Sequence, residues 1–441
     1  MKRIFTPNNC SNQHLTYHAL FVYGLFVAIS ATYLVLALRY PLGYIWATYE
    51  DLLGEWAQFY LFFFALLFSV QQALKTSRYR IFFAVLSIAC FYVIMEEISW
   101  GQRLFGWESS EWFKTKNLQG ETNLHNMLTG PYSTMLKEIL QYGLAVSLTA
   151  YGLLYPFALK RKWSLAIWLD SKNIPAPPLY LWPFFVVAAY LELGELSFNE
   201  EEIAEILVGL AMAVMALHYL HASQFELDYN HNPFWSAQQS YRLALRIAHA
   251  VFIIFLLSVA TTFSIYATKE GKKRADNRIE NGIEKFAGRY ERYKNWEMVV
   301  YLNGLLLKEK PKSRSLLRDL AKAHSHLGNE EKFHQYLEKA ISVDLKRLEK
   351  EPWRASVNQS LVRTYRLLKN RKKADYYLQN ALRMGLERIK NHPQSADAAY
   401  SLGRTYELMG EEDKVKKLFE KACQLRPTSK KFRKAHYRVQ D

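Results

Sequence analysis

Cysteine is scarce: the 441 residues hold three, Cys10, Cys90 and Cys423, scattered and odd in number. That pattern excludes a disulfide framework and a thiolate metal knuckle, and leaves small buried or incidental thiols. Charge is scarce too, but only over the first 267 residues, which carry 16 of the 57 Lys/Arg and 18 of the 41 Asp/Glu, a net of −2. No small-residue cleavage site follows the first apolar run, so Lys2 and Arg3 ahead of it predict a retained helix rather than a removed signal peptide. A groove-reading motif and an aromatic stacking platform are also missing, and nucleic acid is therefore not expected as a partner.

What is present instead is spanning hydrophobicity. Seven apolar stretches, at 17–39, 55–74, 79–101, 133–159, 178–196, 203–222 and 243–267, each supply roughly 20 residues, enough at ~1.5 Å per residue for a core of ~30 Å. The expectation is an all-α chain: a polytopic bundle of about seven spans over 1–267, then a soluble helical domain over 268–441. Lys/Arg number 11 beside the N-terminus and the even loops against 4 in the odd loops, which places the N-terminus in the cytoplasm and the C-terminal domain outside a plasma or inner membrane. Lys269, Lys272, Lys273 and Arg274 pull the other way.

The third stretch ends in EEISWGQR, residues 96–103, where Glu96 and Glu97 fall at membrane depth. Ionisable groups there are rare and usually functional. The loop at 102–132 is too polar to span, and its Trp107 and Trp112 suit an interfacial or re-entrant cap. The fifth stretch ends with Glu192 and Glu195, three apart, and the sixth opens with Glu201, Glu202 and Glu205, the first and last four apart; each spacing shares a face where the segment is helical. Together these pieces predict an acidic and amide-rich cluster at one end of the bundle: Glu96, Glu97 and His125 as candidate catalytic residues, supported by Ser99, Gln102, Arg103, Glu121, Asn126, Glu192, Glu195, Glu201 and Glu205.

Three uses of such a cluster stay open. Paired carboxylates, one kept protonated by burial and repulsion, can act as general acid and base, with His125 completing an intramembrane hydrolase or transferase site for a lipid-linked substrate. No cofactor is evident, although His125 with Glu96 and Glu97 could hold a divalent metal. The same groups could bind a transported cation or amine, or Arg103 and the loop amides could simply pair with Glu96 and Glu97. His, Glu and Ser in a seven-helix bundle faintly resemble the intramembrane zinc hydrolases that include alkaline ceramidases and progestin/adiponectin-type receptors. Those families carry a late HxxxH; here the late pair is His218 and His221, three apart, a weaker metal signal set toward the opposite membrane face.

Beyond about Lys269 the hydrophobicity ends and the remaining Lys/Arg and Asp/Glu give a net of +18. Segments 314–345, 355–386 and 396–427 align at a 41-residue step: Leu320, Leu361 and Leu402; His324, Tyr365 and Tyr406; Phe333, Ala374 and Val415; Leu337, Leu378 and Phe419; Ala340, Ala381 and Ala422, with Pro311, Pro352 and Pro393 between units. The last unit, with Leu402, Gly403, Tyr406, Gly410, Phe419, Ala422 and Pro427, resembles the tetratricopeptide repeat; a degenerate unit is expected over 276–311. The usual period of that family is 34, and a longer second helix accounts for 41. The resemblance implies a solenoid with a concave partner surface. The function this favours is a membrane-anchored scaffold that recruits an acidic protein partner, in contact with membrane lipid, to an envelope-assembly or export complex.

Overall fold

The computed structural model describes residues 16–102, 107–116, 122, 134–224 and 236–439. Arg103, Glu121, His125 and Asn126 lie outside them. Among the described residues every regular element is helical, with no strand. The chain divides into two compact units: Met1–Ile98 with Glu138–Ile279, and Ser99–Lys137 with Glu280–Asp441.

The first unit is a bundle built on the Glu200–Gln224 helix, which beyond its acidic start is almost wholly apolar and contributes sixteen buried residues. A helix without a polar face belongs at a centre. It packs on Leu53–Lys75, which also lies against Arg80–Glu97, and Phe62, Ala65, Cys90, Ile94 and Ala213 close a core between the three. Gly209 permits the approach: a Cβ there would stand 3.1 Å from that of Leu61.

By length and composition five helical segments could cross a membrane: Tyr17–Arg39, Pro41–Lys75, Glu138–Lys160, Glu200–Gln224 and Ala237–Tyr266. Two of the seven expected spans fall short. Arg80–Glu97 has only 18 residues and includes Arg80, Glu96 and Glu97, and Leu179–Leu191 is a shorter apolar helix. The last span starts earlier than expected because Ser236 and Gln239 form a capping box, each side chain bonding the other's backbone N–H at 3.1 and 3.0 Å.

Chain reversal within EEISWGQR was not foreseen. The Arg80–Glu97 helix stops at Glu97, and Ser99, Trp100 and Gly101 follow with φ of 47°, 54° and 88°. Two non-glycine residues in the left-handed region cost roughly 1–2 kcal/mol each.

In the second unit, paired antiparallel helices repeat: Arg314–His326 with Glu330–Lys350, Ala355–Leu367 with Arg371–Asn391, and Ala396–Met409 with Glu412–Leu425. The second helices of the first two pairs have 21 residues and that of the last has 14. Those seven extra residues, two turns, are the difference between a 41- and a 34-residue period. Leu320, Leu361, Ala340, Ala381, Ala422 and Phe419 are all 0–1% exposed, as packing positions of stacked pairs should be. Asn329 and Asn370, one period apart, cap the long helices by accepting from the N–H groups of Lys332 and Lys373 at 3.0 and 3.1 Å. A terminal helix, Lys430–Tyr437, closes the stack with Phe432 on Ala396, Ala399 and Ala422.

Candidate functional site

Stacking the repeats turns one set of side chains into a groove of about 600 Å³. Its floor comes from the first helix of each pair: Arg318, Gln359 and Tyr400 occupy one repeat position, and Arg363 and Arg404 another, each 41 residues apart. The long second helices add Arg347 and Arg388, again one period apart. Nine Lys/Arg line the groove and one carboxylate, Asp397. That carboxylate is itself paired with Arg426 at 3.2 Å.

Compensation comes from below and is partial. Arg314 binds the fully buried Asp344 at 2.7 Å, Arg347 and Arg354 share Glu351 at 3.1 and 2.8 Å, and Arg404 pairs with Glu407. Arg318 hydrogen-bonds a hydroxyl, Ser360 Oγ, at 2.8 Å, and Asp344 and Asp319 act on it electrostatically. Arg363 and Arg388 make no hydrogen bond or ion pair among the described residues. Burial, and then the neighbouring Arg404 and Arg318, hold the Arg363 guanidinium below its usual range. Arginine nevertheless stays charged in proteins, so this repulsion is built into the groove.

Of the acidic residues singled out in the sequence, Glu97 and Glu205 come together within the first unit. Gln58, missed in the sequence, donates through Nε2 to Glu97 Oε1 at 2.8 Å and also to Glu205 Oε2. Glu202 lies in the electrostatic neighbourhood of Glu205, Glu55, Glu50 and Glu201. Glu96 is buried. The signal for Gln58 was available: it and Glu55 are polar and three apart at the start of the span, whose other polar residues, Ser69, Gln71 and Gln72, gather near its end.

Other expected members have structural jobs or stand apart. Glu192 and Glu195 share no helix face, because the helix ends at Leu191 and Gly194 turns with φ 68°. Glu195 is exposed. Glu200 accepts from the N–H groups of Ser197 and Phe198 at 2.8 and 2.6 Å, fixing the entry to its helix. Glu201 sits against Gly194, where an added Cβ would lie 2.8 Å from its Oε1. Gln102 staples its own loop, its Oε1 accepting from Ser109 Oγ at 3.1 Å and Thr122 N at 2.8 Å, and Ser99 is buried at the left-handed turn.

His218 and His221 each hydrogen-bond other groups. Tyr180 OH bonds His218 Nδ1 at 2.9 Å. Arg246 donates to His221 Nδ1 at 3.0 Å, which leaves Nε2–H to donate to the Gln239 carbonyl at 3.2 Å. Among the described residues no group of three or more His, Cys, Asp or Glu could hold a metal ion.

Comparison with known proteins bears on the solenoid. A tetratricopeptide-repeat family model matches residues 353–428. No curated protein matches the chain. Similar solved structures include a human IFIT1 dimer with PPP-AAAA, at 16% identity over 60% of this chain and 78% of that one, TM-score 0.18. Another is a human IFIT1 dimer with m7Gppp-AAAA, at 14% identity over 86% and 96%, TM-score 0.19. Scores this low carry no statement about ligands. The C-terminal helix pairs are a tetratricopeptide-like solenoid.

Proposed function

We propose that the chain is a membrane-anchored scaffold whose solenoid recruits an acidic protein partner. The observation that carries this reading is the groove, with nine cations against one carboxylate that is already paired. Tetratricopeptide solenoids bind proteins on such surfaces, and a one-signed cleft attracts and orients a partner of the other sign. The five long apolar helices supply the anchor, and an envelope-assembly or export complex is the setting it suits.

Removing 280–441 is expected to abolish partner recovery and function, while Glu96→Gln and Glu97→Gln stay active. Activity that survives the deletion would sink this reading.

The second reading is an intramembrane hydrolase or transferase, or a cation carrier, centred on Glu96, Glu97 and His125. One observation favours it: Gln58 holds Glu97 and Glu205 on a single amide, an arrangement that brings two acids together in apolar surroundings. For this reading Glu97→Gln is expected to end function in a protein that still inserts.

A further inference from the structure

Net charge alone would suit any anion, but the groove's composition narrows the choice. Seven of its nine cations are arginine, whose planar fork binds carboxylate or phosphate through two parallel bonds, whereas lysine acts as a point charge. Three of them belong together: Arg363 lies within electrostatic reach of both Arg318 and Arg404. Arg363 makes no hydrogen bond or ion pair among the described residues, and the acid nearest in effect, Glu407, is already paired with Arg404; Arg318 hydrogen-bonds a neutral hydroxyl, with Asp344 and Asp319 acting on it only electrostatically.

A single carboxylate brings one charge and two oxygens to such a place. A phosphate monoester brings roughly −1.5 to −2 charges and three strong acceptor oxygens. Nucleic acid also carries phosphate, but groove binding of a single strand needs exposed rings for its bases. Tyr400, the one aromatic among the lining residues, is packed on Phe419 and Phe432, and Lys431 Nζ covers its ring at 4.1 Å. The groove's volume, about 600 Å³, fits a short extended segment.

We propose that the groove reads a phosphorylated segment of a protein partner, with the phosphate held by Arg363 between Arg318 and Arg404. This rests on the scaffold reading and sharpens it: recruitment becomes switchable by a kinase and a phosphatase acting on the partner.

The test uses the full chain in detergent and fluorescence anisotropy. The probes are a Gly/Ala-rich decapeptide bearing two phosphoserines, its counterpart bearing four glutamates for equal nominal charge, and the plain serine peptide. The phosphopeptide is expected to bind about tenfold tighter than the glutamate peptide. Arg363→Gln should erase that preference. Arg363→Lys, which keeps the charge and guards against misfolding, should also reduce it, and Lys416→Gln, outside the groove, should not.

Equal affinity for the two charged peptides overturns the phosphate claim and leaves the scaffold reading intact. Failure of the phosphopeptide to bind overturns it as well. Single-stranded RNA or anionic vesicles that bind tighter and displace the peptide would overturn both readings.

Discussion

Arg318 donates through Nη1 to Ser360 Oγ at 2.8 Å, so the guanidinium of one repeat is held by a hydroxyl 42 residues further on. The same bond joins two repeats and aims a cation into the groove. Ser360→Ala is expected to lower unfolding stability by about 1 kcal/mol, the usual net worth of such a bond, and to weaken anionic-peptide binding. Urea unfolding and anisotropy on one preparation check both effects. A change in stability without a change in binding would separate the two roles.

Asn329 and Asn370 cap equivalent helices, but one period later stands Glu411, whose side chain makes no cap bond. Asn370→Ala should cost about 1 kcal/mol, and Glu411→Asn should stabilise by several tenths to about 1 kcal/mol. The Glu411–Lys414 ion pair lost in that change is exposed, at 3.3 Å, and worth little. Thermal melts of the two variants should therefore shift in opposite directions.

Asp344 gives the solenoid a pH dependence with a definite sign. Burial raises its carboxyl above 3.8, against the opposing pull of Arg314. The folded state therefore keeps this proton at pH values where the unfolded chain has lost it. Its contribution is greatest below pH 3.8 and is lost as pH rises through the folded value. Asp344→Asn should flatten that segment of the stability–pH curve, read by urea midpoints. A segment of unchanged slope would contradict the assignment.

In the first unit, Gln58→Leu removes the amide that Glu97 and Glu205 share. Losing a hydrogen bond to a charged acceptor costs roughly 1.5–3 kcal/mol. The variant should melt earlier in detergent, and Gln72→Leu, elsewhere on the same helix, reports the cost of losing an amide there. An unshifted Gln58→Leu transition would mean that Glu97 and Glu205 do not depend on this contact.

The solenoid was legible because its determinants are local. Leu320, Leu361 and Leu402 recur where each pair must bury the same face, and the period of 41 followed from a second helix two turns longer. The groove was less visible, since Arg363 and Arg404 become neighbours only when helices stack. Their 41-residue recurrence, like that of Arg347 and Arg388, was nevertheless in the sequence. The apolar half read less well. Apolar runs mark helices but not their ends, and nothing in Ser99 or Trp100 announces a left-handed backbone. Glu192 and Glu195 had helical spacing in a segment that turns at Gly194. Gln58 was overlooked because one amide hardly alters the hydropathy of its span, although its spacing from Glu55 was the clue.

Recruitment of an acidic protein partner through the groove is tested most directly by a photo-crosslinking residue placed at Ser356, which lines it, in the full chain in its own membrane. The account predicts a discrete protein adduct whose cross-linked segment is acidic and that disappears in Arg363→Glu with Arg388→Glu. An adduct confined to lipid or RNA, or a protein adduct that persists when both arginines are reversed, would contradict it.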